Sequence, residues 1–279
     1  MKVIKKVSEL RKIAFKHLIN KDEIGLVPTM GALHEGHVSL ISKSVKNDDV
    51  TIVSIFVNPA QFAPGEDYLK YPRPLEKDLS ICRKNHVDYV FVPSAAEMFP
   101  DGHKTFVEVK SLQDILCGAF RKNHFRGVAT VVAKLFNISF ACRAYLGMKD
   151  FQQLRIIEKM SKELNFRTKI TPCPIVREKN GLALSSRNSY LTAEEKKSAA
   201  QIYQALKKAK EEFKTKSASA VLKNVRDKIA SIAASKIDYA EILDYSSLLP
   251  VSENAKKAAI VVAVWIGNTR LIDNAVLSK

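Results

Sequence analysis

Strand-like and helix-like apolar patterns alternate through the first two-thirds of the chain. Leu10, Ile13, Ala14 and Leu18 recur at helical spacing behind Ser8, a candidate helix cap. Residues 24–27 form an apolar run that stops at Pro28, and residues 38–46 return to helical spacing. The β-branched run 50–57 predicts a buried strand. Pro74 can open a helix through Asn85 with Leu75, Leu79 and Ile81 inward. Further strands are predicted at 89–92, 144–146 and 168–170, and helices at 128–138 and 151–165. This alternation implies a parallel sheet covered on both faces, with ligands at the carboxyl ends of its strands.

After Asn188 the texture changes. Thr192 and Glu195 form a capping-box signature before a long helix from Ala193 to about Lys216, and a second helix covers roughly 218–234. Three strand-like pieces follow at 239–243, 259–265 and 269–272. The expectation is an α/β domain over residues 1–178 and a smaller α+β domain over 179–279, hinged near 178–190.

Composition narrows the class. The 279 residues can bury a sizeable core, and the apolar content of 46% is ordinary for a globular chain. The longest wholly apolar run, residues 258–266, is far too short to span a bilayer, and the amino terminus lacks a signal-peptide core, so no membrane partner is expected. Cys82, Cys117, Cys142 and Cys173 are scattered, which reads as reduced thiols in a cytoplasmic protein. The net charge of +16 favours anionic partners. The lysines are nevertheless spread along the chain without an aromatic-interleaved stripe, so nucleic acid is not the expected partner.

The segment from Leu26 to His37, LVPTMGALHEGH, carries the most chemistry. It reads as strand, glycine-bearing turn and helix entrance, with His34 and His37 three residues apart. A helix entrance offers free N–H groups and a positive dipole end to an anion, and imidazoles there can donate to phosphate oxygens. It matches neither the dinucleotide fingerprint nor the Gly-Lys-Ser/Thr phosphate loop, and its His spacing does not suit a zinc pair. Asn58 and Gln61 follow the strand at 50–57; Asn58 before Pro59 fits turn chemistry, and Gln61 is a candidate ligand contact. Gly147, Lys149 and Asp150 repeat the turn-and-helix-entrance design, and Ser185, Ser186 and Arg187 can clamp a polyphosphate. His124 and Arg126 either face the site or finish a turn. Lys159-Met-Ser-Lys162 spells a synthetase phosphate-loop motif but lies in an amphipathic helix with Ile157, Met160 and Leu164 inward.

Taken together, PTMGALHEGH, SIFVNPAQF, YPRPLEKDL, HFRGVATVVAKLFN, KDFQQL and GLALSSRNSYLT resemble the pantoate–β-alanine ligase family, in family order and spacing. The resemblance covers nearly the whole chain and is weaker between about 195 and 255. It implies a Rossmann-like, class I nucleotidyltransferase-like domain, a smaller carboxy-terminal α+β lid and a homodimer. It also implies ATP-dependent joining of (R)-pantoate to β-alanine through pantoyl adenylate, with Mg²⁺ bridging phosphates. Under it, Met30, Gly31, Ala32, Leu33, His34, Glu35, Gly36, His37, Gly147, Met148, Lys149, Asp150, Val176, Leu184, Ser185, Ser186 and Arg187 contact ATP. His37, His34, Lys149 and Arg187 are the catalytic candidates, Gln61, Gln153 and Asn58 bind substrate, and Asp78 is the acidic candidate near the metal. Met148 and Cys117 stand where the family usually has Glu, and Phe140-Ala-Cys142 replaces a more polar turn. The competing expectation is another nucleotidyltransferase of the same fold, which would transfer AMP to a phosphate acceptor without consuming β-alanine.

Overall fold

The computed structural model describes residues 1–252 and 255–279. Contacts divide the chain into two compact units, Met1–Met148 with Gln153–Pro174, and Lys149–Gln152 with Ile175–Lys279.

The first unit is built on a six-stranded parallel sheet. In chain order its elements are β1 (Lys2–Ile4), α1 (Val7–Ile19), β2 (Ile24–Thr29), α2 (Glu35–Asn47), β3 (Val50–Ile55), α3 (Leu75–Lys84), β4 (Tyr89–Phe91), α4 (Ala95–Met98), α5 (Cys117–Phe120), α6 (His124–Ser139), β5 (Arg143–Gly147), α7 (Phe151–Glu163) and β6 (Lys169–Cys173). All six residues of β3 are buried, so both faces of the sheet are covered there. The strand order β1-β4-β3-β2-β5-β6 has one switch point. The chain leaves β2 towards β3 and β4, then returns to place β5 on the other side of β2. Such a reversal opens a crevice beyond the carboxyl ends of the two strands, and that is where the segments after Thr29 and Gly147 begin.

Several sequence expectations change. The strand expected to stop at Pro28 runs on to Thr29, paired in register with β3. The Glu23 and Thr29 carbonyls bond towards β3, whereas that of Ile24 accepts from Cys142 on the β5 side. Pro28 shares the parity of Ile24, so its nitrogen faces β5, whose pairing with β2 covers only Gly25 and Leu26. The missing N–H therefore breaks no ladder. Ser8 does not cap α1; the Val7 N–H donates instead to Glu97 Oε1 at 2.8 Å, a cap supplied from 90 residues away. The short edge strand β1 pairs only three residues with β4, too few to leave a periodic signal in the sequence. In α7, Ile157 and Met160 are buried as expected, but Leu164 lies outside the helix and is exposed. Ser161 of the synthetase-like motif donates to the Thr168 carbonyl at 2.8 Å, a packing role.

The second unit contains α8 (Ala193–Glu212), α9 (Ala218–Ala230) and the antiparallel sheet β7 (Ser235–Asp244), β8 (Lys257–Ile266) and β9 (Thr269–Ser278). The helices end earlier than the periodicity suggests, and the strands run longer. The Thr192–Glu195 capping box is present, with Thr192 N–H on Glu195 Oε2 at 2.8 Å and Glu195 N–H on Thr192 Oγ1 at 3.2 Å. Period-two alternation along β8 puts Ala258, Ile260, Val262, Val264 and Ile266 into the core formed with Ile202 and Leu206 of α8 and Val221, Val225 and Ile229 of α9. No helix among the described residues is long and apolar enough to cross a membrane.

Candidate active site

The turn after β2 is held from both sides. Thr29 Oγ1 donates to the Ser54 carbonyl at 2.7 Å and accepts the Gly31 N–H at 3.1 Å. Gly31 has φ +80°, and an added Cβ would lie 2.9 Å from Asp78 Oδ2 and 3.1 Å from Ile55 Cγ2. Ala32 also sits at positive φ, 51°, a conformation that costs a residue with a β-carbon about 1–2 kcal/mol. The compensating contact is Asp78 of α3. Its two carboxylate oxygens accept the Ala32 and Leu33 N–H groups, each at 2.8 Å, and the side chain is buried. Burial raises the carboxyl above its ordinary value, against the lowering effect of those two N–H donors.

His34 is the N-cap residue of α2, and its Nδ1 accepts the Gly36 N–H at 3.1 Å. His37 Nδ1 accepts the His34 N–H at 3.3 Å, and the rings lie 4.2 Å apart between centroids. The two imidazoles thus form a capping box in which both Nδ1 atoms are acceptors. A neutral ring so placed carries its proton on Nε2, which makes Nε2 the donor side of each ring.

The amides after β3 converge on the same strand ends. Asn58 Oδ1 accepts the Ala60 N–H at 3.2 Å, while Nδ2 donates to Gln61 Oε1 at 3.1 Å and to the Gly127 carbonyl at 3.0 Å. Asn58 is therefore engaged in building the turn Pro59–Gln61, as its position before proline suggests. Gln61 Nε2 points to Met30 Sδ at 2.9 Å, joining this turn to the one after β2. The first turn of α6 braces it: Gly127 approaches so closely that a Cβ would lie 2.6 Å from the Gln61 nitrogen. His124 also faces this turn, with Nδ1 at 2.8 Å from the Gln61 carbonyl. A carbonyl only accepts, so Nδ1 carries the proton. Its Nε2 then accepts from Arg121 at 3.1 Å. Arg121 is in turn held by Glu66, with Nη2–Oε2 at 2.6 Å and Nε–Oε1 at 2.8 Å. Burial pushes the Glu66 carboxyl up, but the bonds and charge of Arg121 outweigh it and the net value is lowered. Neither Glu66 nor Arg121 stands out in the sequence, because nothing local to either announces a partner 55 residues away. Arg126 lies over the Phe106 ring at 3.9 Å. Cys117 is buried beside this network.

Gly147 ends β5 and Met148 follows it, with its N–H on the Cys173 carbonyl at 2.9 Å, and Gln153 is half-buried on α7. The remaining expected residues belong to the second unit: Lys149, Asp150, Val176, Leu184, Ser185, Ser186 and Arg187. There the Leu184 N–H bonds the Val176 carbonyl at 3.0 Å, bringing those two together. Ser185 Oγ accepts the Arg187 N–H at 3.3 Å and caps a short 3₁₀ turn, Ser186–Tyr190.

The family model described as pantoate-beta-alanine ligase matches residues 2–276. The chain belongs to that family. It is 69% identical to the pantothenate synthetase of Endomicrobium trichonymphae over 279 residues, covering 100% of this chain and 99% of that protein. The Thermosipho africanus pantothenate synthetase is 50% identical, covering 99% of this chain and 100% of that protein. Among solved structures, the pantothenate synthetase of Thermus thermophilus superposes with a TM-score of 0.93 at 40% identity, covering 99% of each chain. The switch-point sheet with its smaller antiparallel partner is thus the architecture of this ligase family, whose amino-terminal domain is nucleotidyltransferase-like.

No group of three or more His, Cys, Asp or Glu among the described residues could hold an ion. Asp78, the acidic candidate, has both oxygens engaged by backbone N–H groups.

Proposed function

We propose that this chain catalyses ATP-dependent condensation of (R)-pantoate with β-alanine, with His34, His37, Asn58, Gln61 and Gln153 serving the reaction at the carboxyl ends of β2, β3 and β5. A pantoate carboxylate oxygen attacks the α-phosphorus; the bond from that phosphorus to the bridging oxygen breaks, and pyrophosphate leaves. The β-alanine nitrogen then attacks the acyl carbon, the carbon–oxygen bond to AMP breaks, and the amine loses a proton. Charge accumulates on phosphate oxygens in the first step, and preformed donors stabilise it with little reorganisation. The observation that carries this reading is the histidine capping box, in which backbone N–H groups occupy both Nδ1 atoms and so fix the proton of each neutral ring on Nε2.

In this reading Gln61 and Gln153 hold pantoate, Gln61 also serving β-alanine, and Asn58 holds Gln61. Met30 to His37, Gly147 to Asp150, Val176 and Leu184 to Arg187 contact the nucleotide. Lys149 offsets phosphate charge as a point charge and Arg187 as a planar fork. Magnesium enters with the nucleotide, as part of the substrate. Support for the substrates comes from a 37% identical relative, the pantoate-beta-alanine ligase of Francisella tularensis, whose structure is described as complexed with beta-gamma ATP and beta-alanine. A cytoplasmic homodimer completes the proposal; light scattering at assay concentrations tests the dimer.

The deciding experiment measures AMP release from Mg·ATP and pantoate with and without β-alanine, with products identified by mass. AMP and pantothenate formed only with all three substrates is the expected result. AMP transfer that ignores β-alanine would instead select a nucleotidyltransferase of the same fold.

A further inference from the structure

Two consecutive buried polar residues interrupt the apolar strand β9. Asp273 and Asn274 stand between Leu271 and Leu277, exposed by only 7% and 4%. Buried polar side chains need partners, and these reach far along the chain for theirs. Asp273 accepts both terminal nitrogens of Arg177, Nη1 on Oδ2 at 2.6 Å and Nη2 on Oδ1 at 2.9 Å. The guanidinium also lies over the Tyr203 ring at 4.0 Å and donates to the Gly181 carbonyl at 3.1 Å. Arg177 and Gly181 belong to the hairpin whose strands pair at Arg177 and Ala183 and which leads directly into Leu184–Arg187. Asn274 Nδ2 donates to the backbone carbonyl of Lys149 at 3.0 Å.

Consecutive side chains of a strand leave from opposite faces. Asp273 shares its face with Leu271, Ala275 and Leu277, which pack with α8 and α9. Asn274 leaves on the other. One dipeptide therefore grips two segments that are distant in sequence and both expected to meet the nucleotide: the Lys149 turn and the loop ending in Arg187. We propose that Asp273 and Asn274 are positioning residues for adenylate formation. They fix the backbone of Lys149 and the approach to Ser185–Arg187 without touching substrate. This rests on the function proposed above. It explains a carbonyl bond that packing alone does not require, since an apolar residue at 274 would continue the strand as well.

The test separates the two half-reactions. Asn274→Asp is isosteric but cannot donate to the Lys149 carbonyl; Asn274→Ser is a second variant for use if the added charge prevents folding. Pantoate-dependent exchange of pyrophosphate into ATP reports the first step. Transfer from supplied pantoyl adenylate to β-alanine reports the second. The expected result is an exchange rate lowered about tenfold with a raised KM for ATP, and transfer within about twofold of wild type. Asp273→Asn should show the same split. Equal losses in both half-reactions, or no loss in either with folded protein, would overturn the proposal. A wild type lacking pantoate-dependent exchange would overturn the underlying function instead, and the inference with it.

Discussion

Replacing Asp78 by asparagine tests whether this residue holds the nucleotide turn or a metal ion. The carboxylate accepts the Ala32 and Leu33 N–H groups on different oxygens, both at 2.8 Å. An amide offers one acceptor and turns an NH₂ towards the other N–H, so one bond is lost and a donor faces a donor. A hydrogen bond to a charged group contributes about 1.5–3 kcal/mol. Part of that is offset, because burial already penalises the charge and raises the carboxyl. The net cost is about 1–2 kcal/mol, a fall of roughly 2–4 °C in the melting temperature of a chain of this size.

The sign with pH is informative too. A carboxyl whose folded value is raised holds its proton more tightly in the native state, so its contribution declines as pH rises from the unfolded value through the folded one. The deficit of Asp78→Asn should therefore not grow with pH above that window. In activity, the Ala32 turn at positive φ loses its anchor, and KM for ATP should rise about tenfold with the Mg²⁺ dependence unchanged. Thermal melting and a magnesium titration at fixed ATP check both parts. An unaltered melting temperature together with weakened apparent magnesium affinity, restored by excess ion, would refute the anchoring argument and make Asp78 a metal ligand.

Three other outcomes are expected. Gly127→Ala should push the Pro59–Gln61 turn away from α6, because the new Cβ would overlap the Ala60 carbonyl; KM for pantoate should rise, with a loss of about 1–3 kcal/mol in stability read by denaturant titration. Glu66→Gln should flatten the acid limb of the stability curve. The lowered Glu66 carboxyl contributes stability above its unfolded value, about 4.3, and loses it as pH falls through the folded value, so wild type should lose more than the variant between those points; parallel acid limbs would show that the Arg121 pair contributes nothing. Thr192→Ala should remove the Thr192 Oγ1 half of the capping box of α8 and cost about 1 kcal/mol by thermal melting, with both half-reactions unchanged.

What can be read along the chain, and what cannot, follows the range of the interactions. The Thr192–Glu195 capping box and the turn at Asn58-Pro59 are legible because donor and acceptor lie within three residues of each other. The histidine pair is legible as a helix entrance for the same reason, though not its tautomer, which depends on the backbone geometry of the capping box. The alternation of strands and helices reveals the parallel sheet, since burial on both faces leaves apolar runs in the sequence. Local rules fail wherever a distant group takes over a local duty. Ser8 has the residue type of a cap for α1, but Glu97 fills that role. Pro28 has the residue type of a strand end, yet the sheet has no partner on its nitrogen side. Asp78 stands in the sequence as an isolated acid; only the fold shows that its two oxygens accept the Ala32 and Leu33 N–H groups. Asp273 and Asn274 lie just past the strand expected at 269–272, and their partners lie 96 and 125 residues away. The groups that touch substrate in the proposed mechanism are thus the more readable ones, being clustered in motifs at strand ends. The groups that hold them in place are single residues scattered through the chain, joined only when the strands reach their order in the sheet.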